Sequence, residues 1–356
     1  MVHIPTVFFY FELFTDIMGI LGNALILCFL FFNKVGSRLT TLLMKNQFTF
    51  DGLVSVYALV SLVSPDRASN MQSWIAPIHC HVWVSRSLFW FMVVLSETNL
   101  VCIAVDRLRA IVFSQSYKQN ERITTIVIYV FVFSYALLNA IPATFLVKYR
   151  QRKCEHIVEH IHSNEFIHFL LFAAYVWLIF GYLLPATVMA YCHVQIILKT
   201  KIIWVPKLSQ FHEFIANDRF SAESVQTQSS IKSNGKASGF NRAVTIPAIF
   251  MWAVFMLTHA YKVIHFLLYA HGAIDFGSQG VERRLGTFLT IVNSALNPLI
   301  VTVSSPPFRK QLFVFLCTCR CFRNKWTGRV SAGSGSNPIG SGIYTLSSAT
   351  RASTIE

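Results

Sequence analysis

Seven stretches of this chain are apolar over about 20 residues each, the length a helix needs to cross a hydrocarbon core of roughly 30 Å. They fall at about 7–32, 41–63, 82–105, 123–147, 166–198, 243–270 and 285–304 and fill most of the first 316 residues. With 54% hydrophobic, 14% aromatic and only 13% charged residues, the chain is too apolar for an ordinary soluble domain. Lipid is the solvent this sequence needs, and the pattern predicts an all-α bundle of seven transmembrane helices.

Lysine and arginine set the orientation, because positive loops stay in the cytoplasm. With the N-terminus outside, the inner segments hold 21 of the 30 basic residues, among them Lys34, Arg38, Arg109, Lys118, Arg122 and the loop from Lys199 to Arg242. The expectation is a multi-pass plasma-membrane protein with an extracellular N-terminus and a cytoplasmic C-terminus. The net charge of +14 then serves topology and contact with anionic lipids. A basic chain this apolar is a poor binder of nucleic acid. No short apolar region ending at a small-residue cleavage site opens the chain, so the first stretch is expected to stay as a span. About six residues precede it, so a ligand is expected to meet the helices and outer loops rather than a separate domain.

Two segments depart from the apolar pattern. Residues 200–241, rich in Ser with Asn234, Gly235 and Gly239, read as a mobile inner loop, and residues 326–356 read as a disordered tail rich in Ser, Thr and Gly. Both are candidates for phosphorylation. Between the last span and the tail, residues 308–316 mix apolar and basic side chains as a short amphipathic helix on the membrane surface does, and Pro306 and Pro307 break the span before it. Cys317, Cys319 and Cys321 follow among Arg320 and Arg323, a setting for palmitoylation; three cysteines without a fourth ligand fit a metal poorly. The chain thus divides into a membrane-spanning body at 1–316 and an anchor and tail at 317–356.

Cys80, at the outer entrance of span three, and Cys154, in the loop between spans four and five, both face the oxidising side, which predicts a disulfide over the bundle. Two unpaired thiols are the alternative. Inside the spans, costly polar residues gather: Asp51, Asp106 with Arg107, Asn293 with Ser294, and Asn297 before Pro298. Such groups in lipid mark function.

Gly22 and Asn23 in span one, Asp51 in span two, the Cys80 and Cys154 pair, Asp106, Arg107 and Leu108 closing span three, Pro185 in span five, Asn297 and Pro298 in span seven, and Phe308, Arg309 and Lys310 after it come in a telling order. In that order the chain resembles a rhodopsin-like G-protein-coupled receptor from residue 7 to about 321. The resemblance implies a receptor that passes an extracellular signal to a heterotrimeric G protein, with arrestin meeting a phosphorylated tail. It implies that Asp106 holds Arg107 at rest and that Arg107 meets the G protein once spans five and six swing out, with Asn297 and Pro298 as part of the same switch. Asn23, Asp51, Ser96, Asn293, Ser294 and Asn297 match the family's polar cluster around a sodium ion; a hydrogen-bonded network with Asp51 protonated is the other reading. Glu97, beside Ser96, adds a second acid that is either protonated and silent or alters coupling.

Several positions depart from the family. Counting back from Asp106, Cys80 lies two residues further away than usual, so span three is longer at that end or bulged. His193 stands where the family has a tyrosine, His259 replaces the toggle tryptophan, Tyr261 the kink proline of span six, and Val301 the last tyrosine of span seven. Without that proline the helix loses its usual cause for a sharp bend. Phe89 occupies the place of the amine receptors' aspartate and Ile291 that of the opsins' retinal lysine, so an amine is disfavoured and retinal excluded. A short neuropeptide is the ligand reached by elimination, with Phe89, His259 and His265 as candidate pocket residues and charges of both signs on the outer rim.

Nine of twelve histidines lie near the outer face, and His156, His160 and His162 share one loop with Glu155, Glu159 and Glu165. Proton sensing or zinc binding is a second reading, with His156 and His160 on one face if that loop is helical. Enzyme motifs such as His-Glu-x-x-His or Gly-x-Ser-x-Gly are absent from the sequence, and no internal repeat points to a transporter. A constitutively active receptor, or a non-signalling decoy or dimer partner, completes the alternatives.

Overall fold

The structure is a computed structural model that describes residues 6–64, 72, 74–113, 121–150, 153–156, 164–200, 228–274 and 281–317. Span one is α1, Thr6–Phe32, and span two is α2, Arg38–Val63. The short α3, Ile75–His79, leads through a π-helical turn at Cys80–Val84 into α4, Ser87–Val112, which is span three. Span four is α5, Glu121–Thr144. Strands β1, Val147–Arg150, and β2, Lys153–His156, form an antiparallel hairpin. Span five is α6, Asn164–Leu178, continued through a π turn at Ile179–Leu183 into α7, Leu184–Thr200. Span six is α8, Gln228–Ala270, and span seven is α9, Val281–Ser304.

Six of these spans are long and apolar enough to cross a membrane. The other, span two, is as long but carries Lys45, Asn46, Gln47 and Asp51 along its middle. Large apolar side chains such as Phe11, Phe14, Leu21, Phe131 and Phe172 point outward and exposed. Water would penalise that surface, whereas lipid accepts it. Span three lies at the centre, packed against spans two, four, five and six, while span one packs against two and seven.

Local chemistry explains several ends. The Ser37 hydroxyl accepts from Thr40 N at 3.0 Å and caps span two. At the start of span three, the π turn is followed by Arg86 in the left-handed region, φ 58°, before the helix resumes at Ser87. This turn and the left-handed step absorb the two additional residues counted between Cys80 and Asp106. Serines staple the break: Ser85 and Ser87 hydroxyls donate to His81 O at 2.6 and 2.8 Å. Cys80 and Cys154 form a disulfide across a separation of 74 residues, with Cα atoms 5.6 Å apart, and Cys80 packs with Val147 under the hairpin.

One expectation is corrected and one condition is not met. The segment 200–241 is not loop throughout, because span six begins at Gln228. Residues 228–242 contain no proline, and a nucleated helix extends at little cost, so Gly235 and Gly239 at about 1 kcal/mol each do not stop it. Glu155 and His156 are strand rather than helix, because β2 pairs in register with β1, His156 opposite Val147 and Cys154 opposite Tyr149. Span six also shows no helical interruption despite Pro247 within it.

The chain divides into two compact units, Met1–Gln311 and Leu312–Glu356. Residues 306–317 are helical, and in the first unit Phe308 meets Phe29 edge-on at 4.9 Å. Of the candidate acylation cysteines, Cys317 is exposed; Cys319, Cys321 and the Ser/Thr tail lie outside the described residues.

Span one approaches span two closely at Gly19, where an added Cβ would lie 2.3 Å from Ser55 Oγ. Gly19→Val is therefore expected to destabilise the bundle by roughly 1–3 kcal/mol. Gly181→Ala, whose Cβ would meet only Trp177 Cβ at 3.9 Å, is the tolerated control in the same thermal-unfolding measurement in micelles.

Candidate functional site

Span three places four polar residues in succession, Ser96, Glu97, Thr98 and Asn99, and all four are buried. A helix turns about 100° per residue, so neighbours in this run address different partners. Ser96 and Asn99 share the face toward span two. Glu97 faces span six, and the Thr98 hydroxyl donates to Val94 O at 2.7 Å.

On the first face Asp51 is the hub. Its Oδ1 accepts from Ser96 Oγ at 2.6 Å, and its Oδ2 accepts from Asn297 Nδ2 at 2.8 Å and Gln47 Nε2 at 3.0 Å. Spans two, three and seven thus meet on one fully buried carboxylate. Asn99 extends the network, donating to Gln47 Oε1 and Leu43 O, both at 2.9 Å. Asn23 ties span one in through Ser294 O at 3.2 Å. Around this hub the amide oxygens of Asn23, Asn293 and Asn297 are buried without a hydrogen-bond partner. A carboxylate, a hydroxyl and amide oxygens free to accept form a donor set that fits a hard cation such as sodium.

At the far end of span three, Arg107 is buried with its side chain 2% exposed. Its Nη2 lies 2.5 Å from Asp106 Oδ2, Nε donates to the same oxygen at 3.2 Å, and Nη2 also donates to the Thr40 hydroxyl. Thr40 in turn donates to Asp106 Oδ2 at 2.8 Å. The charge pair is closed by a hydroxyl from span two, which is how a buried ion pair becomes tolerable. His193, buried on span five, lies against Trp252 with ring centres 5.7 Å apart, and neither ring nitrogen has a hydrogen-bond partner. Val301 is buried on span seven, and Pro298 lies against Gly22.

The second face of span three holds an arrangement that residue-by-residue reading separates. Glu97 Oε1 lies 2.7 Å from His259 Nε2 and 3.8 Å from Lys262 Nζ. The first contact is an ion pair when the His259 ring is protonated. Lys262 also sits over the Trp90 ring, 4.5 Å from its centre. The toggle position of span six is therefore tied to span three by charge.

Toward the disulfide end the interior opens. A cavity of about 130 Å³ is lined by Glu12, Tyr57, Arg86, Phe89, Arg284 and Ile291. A second, of about 60 Å³, has Arg86, Trp90, Trp177, Lys262, His265 and Glu282 in its wall. Phe89 and His265 of the candidate pocket are thus at cavities, whereas His259 lies beneath, on Glu97. Tyr261 stacks on His265 at 5.8 Å. His156 is on β2, and His160 and His162 lie outside the described residues.

With this geometry in place, the chain matches the family model 7 transmembrane receptor (rhodopsin family) over residues 22–300. The chain belongs to the rhodopsin family of seven-transmembrane receptors. No curated protein matches it in a corresponding search. As a rhodopsin-family receptor it is a multi-pass membrane protein of signalling and not an enzyme, and membership implies an extracellular ligand and a G-protein partner. The receptor's site includes residues that sequence reasoning passed over. Gln47 and Thr40 left a weak signal, as polar residues one turn from where an acid is expected to point. Glu12 and Asp16 left a stronger one, two carboxylates four residues apart in span one. Asp16 is fully buried, and neither of its oxygens is hydrogen-bonded.

Glu97→Ala leaves His259 and Lys262 without their acid, and this variant is expected to lose on the order of 3–5 kcal/mol. The double change Glu97→Leu with His259→Phe should lose less than the sum of its two single changes, because each residue is the other's close partner. Denaturant unfolding in micelles, read as a double-mutant cycle, measures the difference.

Proposed function

We propose that this receptor converts the binding of a short extracellular peptide into activation of a heterotrimeric G protein. The N-terminus, the disulfide and the cavities face outward in this reading, and the Arg107 end faces the cytoplasm. The distribution of basic residues, 21 of 30 on the segments assigned inside, supports that orientation.

The observation that carries the peptide reading is the pair of cavities at the disulfide end, whose walls alternate charges of both signs, Glu12 with Arg86 and Arg284, and Lys262 with Glu282. A peptide offers both an ammonium and carboxylates to such walls. An amine offers only one sign. The volumes suit end groups and side chains of a ligand that otherwise lies over the bundle.

Binding biases a two-state bundle. Span six carries His259 and Lys262 on the ligand side and packs on span three, which carries Arg107. Release of span six frees Arg107 from Asp106 and Thr40 for the G protein. A sodium ion at Asp51 and the neighbouring amide oxygens would hold the resting arrangement of spans two, three and seven. Acylation at Cys317, Cys319 and Cys321 would anchor the segment after span seven, and phosphates on the tail would recruit arrestin.

The test is G-protein activation in cells expressing the receptor with a panel of G proteins and a neuropeptide library. A peptide response is expected, and Arg107→Ala is expected to lower it by roughly a hundredfold or more at unchanged surface expression, in keeping with the loss of a buried charged contact. Silence across the library from receptor at the cell surface, or a response that survives Arg107→Ala, overturns the reading.

A further inference from the structure

The protons around His259 can be counted. Its Nδ1 faces two oxygens, Phe255 O at 3.2 Å and Thr258 Oγ1 at 3.1 Å. A carbonyl only accepts, and the Thr258 hydroxyl has an acceptor of its own in Val254 O at 2.8 Å, so we assign the hydrogen of this pair to Nδ1. Nε2 then meets Glu97 Oε1 at 2.7 Å, a distance that a lone pair and a carboxylate do not share without a proton. One proton therefore lies between them. Whichever of the two holds it, Glu97 and His259 together sum to zero charge.

The ammonium of Lys262 is then one net positive charge inside the bundle. Glu97 at 3.8 Å is already matched by the shared proton, and the Trp90 ring offsets only part of the cost. The side chain is 18% exposed, and it lines the 60 Å³ cavity. Across that cavity stands Arg86, held by its left-handed backbone; it is within 4 Å of no described carboxylate, and Glu12 faces it from the larger cavity. Trp90, Trp177 and Phe266 give the wall an aromatic surface, with Leu146 and Thr287 beside them. Its acid, Glu282, is exposed in the first turn of span seven.

We propose that this cavity is a seat for a carboxylate borne next to an aromatic or apolar group, with Lys262 and Arg86 holding the anion. The proposal rests on the peptide reading and deepens it by naming a free C-terminus after an apolar residue as the recognised end. Arg86 offers the planar fork that pairs two-fold with a carboxylate, and Lys262 supplies the point charge. A volume of about 60 Å³ fits such an end group and not a whole ligand. Lys262 lies one turn from His259 on span six, so an anion that draws Lys262 from Glu97 acts on the tie between spans three and six.

The first arm of the test is the thermal stability of the purified full-length receptor in micelles with millimolar 3-phenylpropionate, against its uncharged amide. The acid is expected to raise the melting temperature by several degrees and the amide to leave it unchanged. Lys262→Met should abolish the shift and, by removing an unmatched charge, leave the unliganded receptor as stable or more stable. Lys262→Arg should keep the shift, and Arg86→Gln should shrink it. Equal effects of acid and amide, no effect of either, or a shift that survives Lys262→Met overturns the seat. A lower melting point for unliganded Lys262→Met makes Lys262 a structural partner of Glu97 and overturns the charge count.

The second arm compares G-protein activation by library peptides made as C-terminal acids and as amides. Potency at least roughly tenfold higher for the acids identifies a peptide terminus as the source of the carboxylate. Activation by small aromatic acids alone identifies a free acid. If no peptide acts while the acid's thermal shift stands, the peptide reading fails and the seat remains.

Discussion

A carboxylate at the centre of a lipid-embedded bundle has no water to turn to, and the positions of spans two, three and seven follow from how Asp51 is satisfied. Three donors from three helices converge on it, Gln47, Ser96 and Asn297, and Asn99 secures Gln47 in turn. The hydrophobic effect alone does not fix the rotation of these helices, since lipid is as apolar as leucine. Directed hydrogen bonds can. The hub sets the face of span three, and with it the faces that Glu97 and Arg107 present.

From that fixed helix the structure extends two charged contacts. Arg107 is closed off by Asp106 and Thr40, within reach of span two. Glu97 reaches the other way, to His259 and Lys262. A tryptophan at the toggle position would hold span six by packing, which changes gradually with distance. An ion pair in low dielectric is held or broken. Span six is thus braced by charge, and the brace adjoins the cavities through Lys262. The aromatic residues that the resemblance leads one to expect at these positions are replaced by His193, His259 and Val301, and at His259 the contact with span three is to a carboxylate.

Much of this was legible in the sequence, for physical reasons that differ from part to part. The spans could be read because crossing lipid demands length and apolarity alone, quantities that a single strip of sequence displays. Asp51, Ser96 and Asn297 were legible because a polar residue in such a strip is expensive. The two residues in excess between Cys80 and Asp106 could be counted, although not the π turn and left-handed Arg86 that absorb them. The pairing of Glu97 with His259 was not legible, since it depends on the relative rotation and depth of two helices far apart in the chain. For the same reason Gln47 and Lys262 did not stand out: each is an ordinary polar residue until its neighbour is known. The start of span six at Gln228 was hidden because a serine- and glycine-rich composition favours loop, and continuity with an existing helix overrides it.

The Glu97–His259 contact is what holds span six against span three. Pulsed electron–electron distance measurement between spin labels at Phe113 and Phe250, both exposed, in a background with Cys28, Cys102, Cys192, Cys317, Cys319 and Cys321 replaced, is the direct test. Ligand-free wild type is expected to give one dominant distance, and Glu97→Gln to add a longer population. Identical distributions in the two proteins would contradict it.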